Sequence, residues 1–380
     1  MSTLPQFILP LPAAQFLAEY WQKKALLMPA AASGLAHPDA NTLAGLALEE
    51  DVESRLISGH GQGPWNVQHG SFTEQDFAAL PKQNWTLLVQ SVDHFLSEVS
   101  LLLDSFQFLP GWRLEDIMIS YAARGGSVGP HYDRYDVFLI QARGQRRWQL
   151  GPHCDQHSPL LPHDQLRLLA DMPVEQELLA SPGDVLYLPP GVGHWGIAED
   201  DDCLTWSVGF RAPSPADLLA RLADQAIEQA GDQQRYHDPQ RLPCKAPEHL
   251  TDDQVAALTD QALALVDRSA ARSAMAALLS EPRQSAGLDF DIDCGHIAAA
   301  ATDAALVRHG ATRLLLDDVG LAWLNGAPCP LTEAQRPLVA LLARQRRYSA
   351  NQLAPLLTDE GRSLLEEWTD AGFFAVVRET

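Results

Sequence analysis

The sequence predicts an α+β protein of more than one domain. Three features support this: a length of 380 residues, a change from strand-like to helix-like patterning after Pro213, and a return to mixed patterning from about Ala301. A single core rarely grows this large, and 46% hydrophobic residues place the chain among globular proteins. The expected domains are residues 1–213, rich in strands and buttressed by N-terminal helices; residues 214–290, helical; and residues 291–380, mixed helix and strand.

In the first hundred residues, helical stretches such as Ala13-Ala-Gln-Phe-Leu-Ala-Glu-Tyr-Trp21 alternate with loops, and Trp85 to Leu103 reads as helix. Strands follow from about Leu114 to Arg211. Val137-Phe-Leu-Ile-Gln141 is β-branched and aromatic, Ala142-Arg-Gly-Gln145 has the character of a hairpin connection at Gly144, and Arg147-Trp-Gln-Leu150 is the returning strand. Val185-Leu-Tyr-Leu188 is another apolar strand, stopped and turned by Pro189-Pro190-Gly191. After Pro213 a helix starts with Ser214 as cap, Pro215 in the first turn and Asp217 near the positive dipole end, and Leu218, Leu219, Leu222 and Ala226 form one apolar stripe. A second helix opens on the capping box Thr251-Asp-Asp-Gln254 and repeats apolar residues at Val255, Leu258, Ala262, Leu265 and Val266. Such stripes need a partner, either the strand-rich domain or a second copy of the chain. The last part combines strand-like Thr312–Leu316 and Leu321–Leu324, helical Thr332–Arg344, Ser349–Leu357 and Gly361–Asp370, and a strand Phe373–Val377.

The chemistry concentrates in two short segments, His131-Tyr132-Asp133 and Gly183-Asp-Val-Leu-Tyr-Leu-Pro-Pro-Gly-Val-Gly-His194. On extended backbone, residues i and i+2 point to the same side, so His131 and Asp133 can reach one ion. Two imidazoles and one carboxylate on one face of a metal, with the opposite positions open, form the facial triad of non-haem Fe(II) oxygenases. The run Gly125-Gly126-Ser127-Val128-Gly129-Pro130 turns easily and delivers the first two ligands from a loop against a sheet. A second cluster, His153, His157 and His163, lies among prolines and polar residues and reads as an exposed loop. The acidic Glu199-Asp-Asp-Asp202 reads as a solvated turn.

Five residues separate Gly125 from His131, and the second segment has the spacing Gly, five residues, Pro, any residue, Gly, two residues, His. These spacings resemble the two cupin motifs, and in particular the JmjC branch, whose double-stranded β-helix holds Fe(II) and the co-substrate 2-oxoglutarate. Other cupins supply a Glu where Val137 and Phe138 stand here, which disfavours a three-His-plus-Glu site. The resemblance implies that Arg146, fifteen residues past the first histidine, holds the distal carboxylate of 2-oxoglutarate by charged hydrogen bonds. Ser120 and Thr205, on flanking strands, are further candidates for the co-substrate, or else satisfy backbone groups. Asp136 and Tyr135 are candidates for recognising the target side chain.

The segments Tyr20-Trp-Gln-Lys-Lys-Ala-Leu-Leu27, Asp51-Val-Glu-Ser-Arg-Leu56, Asn84-Trp-Thr-Leu-Leu-Val89 and Gly209-Phe-Arg-Ala-Pro213 extend the likeness over nearly the whole chain. Together they resemble the bacterial ribosomal oxygenases. That resemblance implies a JmjC catalytic domain, a helical dimerisation segment and a C-terminal winged-helix domain. It also implies a homodimer and O2-dependent hydroxylation of an arginine side chain of the basic ribosomal protein L-sixteen, with 2-oxoglutarate converted to succinate. Ala122 stands where a close relative has Ser, which puts the second carboxylate contact in doubt. Two other readings share these motifs: a different JmjC oxygenase, either a histidine hydroxylase or a lysine demethylase, and a non-catalytic metal-binding regulator that uses the winged helix.

A formal charge of −22 makes a basic protein an attractive partner and nucleic acid an unattractive one, although acidity also simply maintains solubility. Residues 301–380 carry eight Arg or Lys against ten Asp or Glu, so a DNA-binding footprint is missing there. Arg344, Arg346 and Arg347 form the one basic cluster and read as a helix-end charge group. No run of eighteen apolar residues exists, and the N-terminus lacks a basic region leading into an apolar stretch, so a cytoplasmic protein without a membrane span is expected. The five cysteines, Cys154, Cys203, Cys244, Cys294 and Cys329, are scattered without CxxC spacing and read as reduced thiols.

Overall fold

The computed structural model describes residues 4–378 apart from 62, 231–234, 237, 242, 244, 245, 267 and 284–303. Cys244, Cys294 and the expected domain boundary at 290/291 lie outside the described residues. The chain divides into two compact units. One comprises Met1–Ala212, Pro282–Thr312 and Leu331–Thr380, and the other Pro213–Glu281 with Arg313–Pro330. The division is discontinuous, whereas the sequence suggested three consecutive domains.

Thirteen strands form the β-rich part of the first unit: β1 (Gln6–Phe7), β2 (Leu26–Met28), β3 (Ala32–Ser33), β4 (Ser54–Ser58), β5 (Asn66–His69), β6 (Trp85–Val89), β7 (Leu114–Ala122), β8 (Val137–Arg143), β9 (Arg146–His153), β10 (Gln176–Ala180), β11 (Val185–Leu188), β12 (Val192–Ala198) and β13 (Cys203–Phe210). Eight of them make one antiparallel sheet in the order β2-β11-β8-β13-β7-β6-β4-β5, and three make a second in the order β10-β9-β12. Side-chain alternation sets the layers. Phe138 and Ile140 of β8 point into the main core with Trp206 and Val208 of β13, while Val137 and Leu139 point the other way and pack with Trp148 and Leu150 of the small sheet. The two sheets therefore face each other, as a double-stranded β-helix requires.

The helix Ala13–Glu19 forms as expected and buries Phe16, whose ring lies 5.0 Å from Tyr187 and 5.8 Å from Phe138 behind the large sheet. The expected helix from Trp85 to Leu103 is corrected. Trp85–Val89 is a strand paired on both sides, with β4 and β7, and short helical pieces, Val92–Phe95, Ser97–Ser100 and Leu101–Phe106, follow it. A short apolar run such as Trp-Thr-Leu-Leu-Val does not by itself distinguish buried strand from buried helix. Here two neighbouring strands supply the hydrogen bonds.

The C-terminal part of this unit contains β14 (Ala304–Arg308), which the sequence did not suggest, paired with β18 (Arg347–Ser349) and β19 (Phe374–Arg378). The helices Arg336–Arg344 and Asp359–Asp370 bury Leu338, Val339, Leu342, Leu365 and Trp368 against it. Arg346, read from the sequence as part of a helix-end charge group, is buried: it is 6% exposed, and its Nη1 donates to the Gly310 carbonyl. In the second unit, the helix Pro215–Gln229 carries the full capping box of Ser214 with Asp217 and proline in the first turn, and Asp252–Leu263 carries that of Thr251 with Gln254. The helix Arg268–Ser280 buries Ala270, Ala274 and Ala277, and β15 (Leu314–Leu316), β16 (Ala322–Leu324) and β17 (Ala327–Cys329) form an antiparallel sheet grouped with these helices.

Candidate active site

Between the two sheets lies a cavity of about 630 Å³. Strand alternation decides what faces it: Asp116, Met118 and Ser120 from β7, Thr205 and Ser207 from β13, and Arg146 and Trp148 from β9 line the cavity, while Ile117, Ile119, Trp206 and Val208 point into the core behind. Polar residues therefore alternate with apolar ones on strands buried on both faces.

The two ligand segments are fastened to each other through backbone. The His131 N–H donates to the His194 carbonyl at 3.0 Å and the His194 N–H to the His131 carbonyl at 2.7 Å, while the Gly191 N–H donates to the Asp133 carbonyl at 2.8 Å. Glycine is needed on both sides of this staple. Gly129 has φ +81 and a Cβ there would lie 2.5 Å from Leu168, and Gly191 has φ +83 and a Cβ would lie 2.4 Å from His153 Nε2. The His131 and His194 rings lie 4.3 Å apart, the His194 Nε2 is 3.7 Å from an Asp133 carboxylate oxygen, and one ligand atom from each of the three residues lies within 4.8 Å of the others.

Each imidazole is oriented by a carbonyl two residues earlier, His131 Nδ1 to Gly129 at 2.9 Å and His194 Nδ1 to Val192 at 2.9 Å. A carbonyl only accepts, so Nδ1 carries the proton in each ring and Nε2 keeps its lone pair for a metal. Burial first, and then the neighbouring His131, push the His194 pKa down to about 4, against the opposing pull of Asp133 and the Val192 carbonyl. The ring is neutral at physiological pH, as metal ligation requires. The donor set fits Fe(II).

Arg146 sits in the same cavity, 4% exposed, with its Nε and Nη2 buried and without a hydrogen-bond partner. Its guanidinium carbon is 5.8 Å from the Trp148 ring centre. A buried cation with unsatisfied donors is costly unless an anion belongs there, and a carboxylate satisfies both charge and geometry. Thr205 Oγ1 donates to Gln141 Oε1 at 3.0 Å, which leaves its oxygen only as an acceptor, and Ser120 Oγ contacts the Thr205 carbonyl at 3.5 Å. Ala122 is fully buried with Ala198 and Cys203.

Tyr135 lines the cavity, and the Asp133 carboxylate first, then burial, push its phenol pKa above the ordinary value. Asp136, its companion in the sequence reading, does not line the cavity: fully buried, it accepts from Arg113 at 2.8 Å, Tyr187 at 2.7 Å and Gln22 at 2.9 Å. Among the described residues, His131, Asp133 and His194 form the one cluster suited to a metal, so His153, His157 and His163 do not make a second. The Glu199–Asp202 turn is tied down by ion pairs, Glu199 to Arg147 at 2.5 Å and Asp202 to Arg143 at 2.5 Å. The sequence reading missed Asp116 and Arg283, both at the cavity wall.

A two-histidine, one-carboxylate cluster between facing antiparallel sheets, with a buried arginine in the same cavity, is the arrangement of a JmjC-type oxygenase site. The JmjC domain model matches residues 101–218. The chain is 38% identical over 260 residues to the ribosomal protein uL16 3-hydroxylase of Escherichia coli, covering 67% of each chain. It is 41% identical over 219 residues to a probable ribosomal oxygenase of Haemophilus influenzae, covering 57% of this chain and 53% of that one. It also matches the structure of YcfD, a ribosomal oxygenase from Escherichia coli in complex with cobalt and 2-oxoglutarate, with a TM-score of 0.81 and 30% identity, covering 98% of this chain and 99% of that one. The protein belongs to the JmjC ribosomal oxygenases, the family of the uL16 3-hydroxylase.

Proposed function

We propose that this protein is an Fe(II)- and 2-oxoglutarate-dependent dioxygenase that hydroxylates an arginine side chain of the large-subunit ribosomal protein uL16. The observation that carries the reading is the shared cavity, with three metal-ligand side chains at one place and the unpaired Arg146 guanidinium at another. His131, Asp133 and His194 hold the iron, Arg146 takes the distal carboxylate of 2-oxoglutarate, and Ser120 and Thr205 lie alongside. Bound there, iron and co-substrate supply the activation of O2 and the insertion of one oxygen atom into a substrate C–H bond. The chain's own residues orient and shield. The carbonyls of Gly129 and Val192 fix the imidazoles, Trp148 and Met118 exclude water, and Tyr135 keeps its proton beside Asp133. No side-chain base is required at the reacting carbon.

A net charge of −22 favours a basic substrate. Leu219 and Ile227 on the helix Pro215–Gln229, with Val255 and Leu258 on Asp252–Leu263, are exposed and suit a homodimer contact. The C-terminal sheet with its helices is assigned as the winged-helix domain, without a specific nucleic-acid role. Among the described residues no helix is long and apolar enough to cross a membrane, and a ribosomal substrate places the reaction in the cytoplasm.

Incubating purified uL16 with the enzyme, Fe(II), 2-oxoglutarate and O2 should add the mass of one oxygen atom to one arginine, and His131→Ala should abolish the gain. Modification of a histidine or lysine on another protein would replace the substrate half of the proposal. Absence of any 2-oxoglutarate turnover would overturn it entirely. Light scattering after gel filtration tests the dimer.

A further inference from the structure

The cavity wall holds a second arginine besides Arg146, and this one is loosely held. Arg283 Nη1 lies 3.6 Å from Asp116 Oδ2 and Nη2 lies 3.8 Å from Glu53 Oε2. Asp116 is a buried carboxylate that also accepts from Gln90 Nε2 at 2.6 Å and Ser91 Oγ at 2.7 Å, so its neutral partners are close and its cationic partner stands off. The Arg283 side chain is 38% exposed. Arg283, Asp116 and Tyr135 line the same cavity as His131, Asp133 and His194.

We propose that Arg283 is an internal competitor for the substrate cation: in the free protein its guanidinium neutralises Asp116, and it gives way when an arginine side chain of the target enters. This rests on the reading that the target side chain is an arginine. Baring a buried carboxylate is costly, so an exchange of one guanidinium for another preserves the compensation of Asp116 throughout binding. Arg283 is 38% exposed and its two contacts, at 3.6 and 3.8 Å, are longer than hydrogen bonds, so the exchange gives up no short bond. The device also selects, because a neutral side chain cannot replace the charge that Arg283 takes away.

The test is calorimetric titration of a short peptide carrying one arginine among neutral residues into the full chain loaded with Fe(II) and 2-oxoglutarate, without O2. Arg283→Gln should bind the peptide about two- to fivefold more tightly than wild type, the scale of a long, partly exposed ion pair whose competition is removed. Arg283→Lys should stay near wild type, and Glu53→Gln, which loosens the other anchor, should shift affinity in the same direction as Arg283→Gln. Unchanged or weaker binding in Arg283→Gln overturns the proposal and leaves Arg283 as a tie between Glu53 and Asp116. Peptide affinity is read whether or not uL16 gains oxygen, so the two proposals fail separately.

Discussion

Arg146 and Arg346 are almost equally buried, at 4% and 6% exposure, yet their surroundings differ in kind. Arg346, in the C-terminal part, donates its backbone N–H to Asp104 at 2.9 Å and its Nη1 to the Gly310 carbonyl at 3.3 Å, with Tyr348 and Arg308 beside it. Burial first, then Arg308, push its pKa down to about 10, while Asp104 and Asp93 act in the opposite direction. Arg146 has two buried nitrogens with no partner in the protein. Burial therefore does not distinguish a structural cation from a binding one. What distinguishes them is whether the fold itself supplies the counter-charge, and where it does not, a ligand does.

The contrast predicts opposite phenotypes. The largest effect is expected at Arg346→Ala, which removes a buried side chain, its donation to the Gly310 carbonyl and one of the two cations acting on Asp104, and should cost about 3 kcal/mol of stability, read as a lower unfolding midpoint with undiminished activity per folded molecule. Next, Arg146→Ala should raise the KM for 2-oxoglutarate about tenfold to a hundredfold while the unfolding midpoint barely moves, because its Nε and Nη2 donate to no protein group. A marked loss of stability in Arg146→Ala, or an unaltered KM, would break the comparison.

A pH-dependent effect, smaller over any one pH unit, sharpens the structural side. Burial first, then His94 and Arg346, push the His309 pKa down to about 3 from its ordinary 6.5. Between those values the unfolded chain takes up a proton that the folded chain refuses. Stability is thus fully present above pH 6.5 and falls as the pH drops through the window, by up to about 1.4 kcal/mol per pH unit. Urea unfolding at stepped pH should show this slope, and His309→Gln should flatten it. The smallest effect belongs to the cavity: Thr205→Val removes the donor to Gln141 and should change the KM for 2-oxoglutarate by less than about fivefold.

How much was legible beforehand varies residue by residue. The triad was readable because two ligands are two residues apart on one extended segment and the third ends a glycine- and proline-marked turn; both patterns are local. Arg146 was reached through its distance from His131 in a resembling family, and its lack of partners appears only when the sheets are assembled. Asp136 looked as plausible as Tyr135, but Arg113, Tyr187 and Gln22 converge on it from distant segments and consume it inside the core. The strand Trp85–Val89 was misread because its hydrogen-bond partners, β4 and β7, are not encoded in the run itself.

The sequence by itself determined the three side chains that come together as a cluster suited to a metal, and with them the class of reaction, since spacing and side-chain chemistry are properties of short segments. It also determined the caps of the helices Pro215–Gln229 and Asp252–Leu263, set by residues three apart. Only the tertiary structure decided which charged groups face the cavity. A strand's inward face is chosen by its pairing with partners far along the chain, and Asp116 meets Arg283 because the sheet and a segment more than a hundred residues later close on the same space.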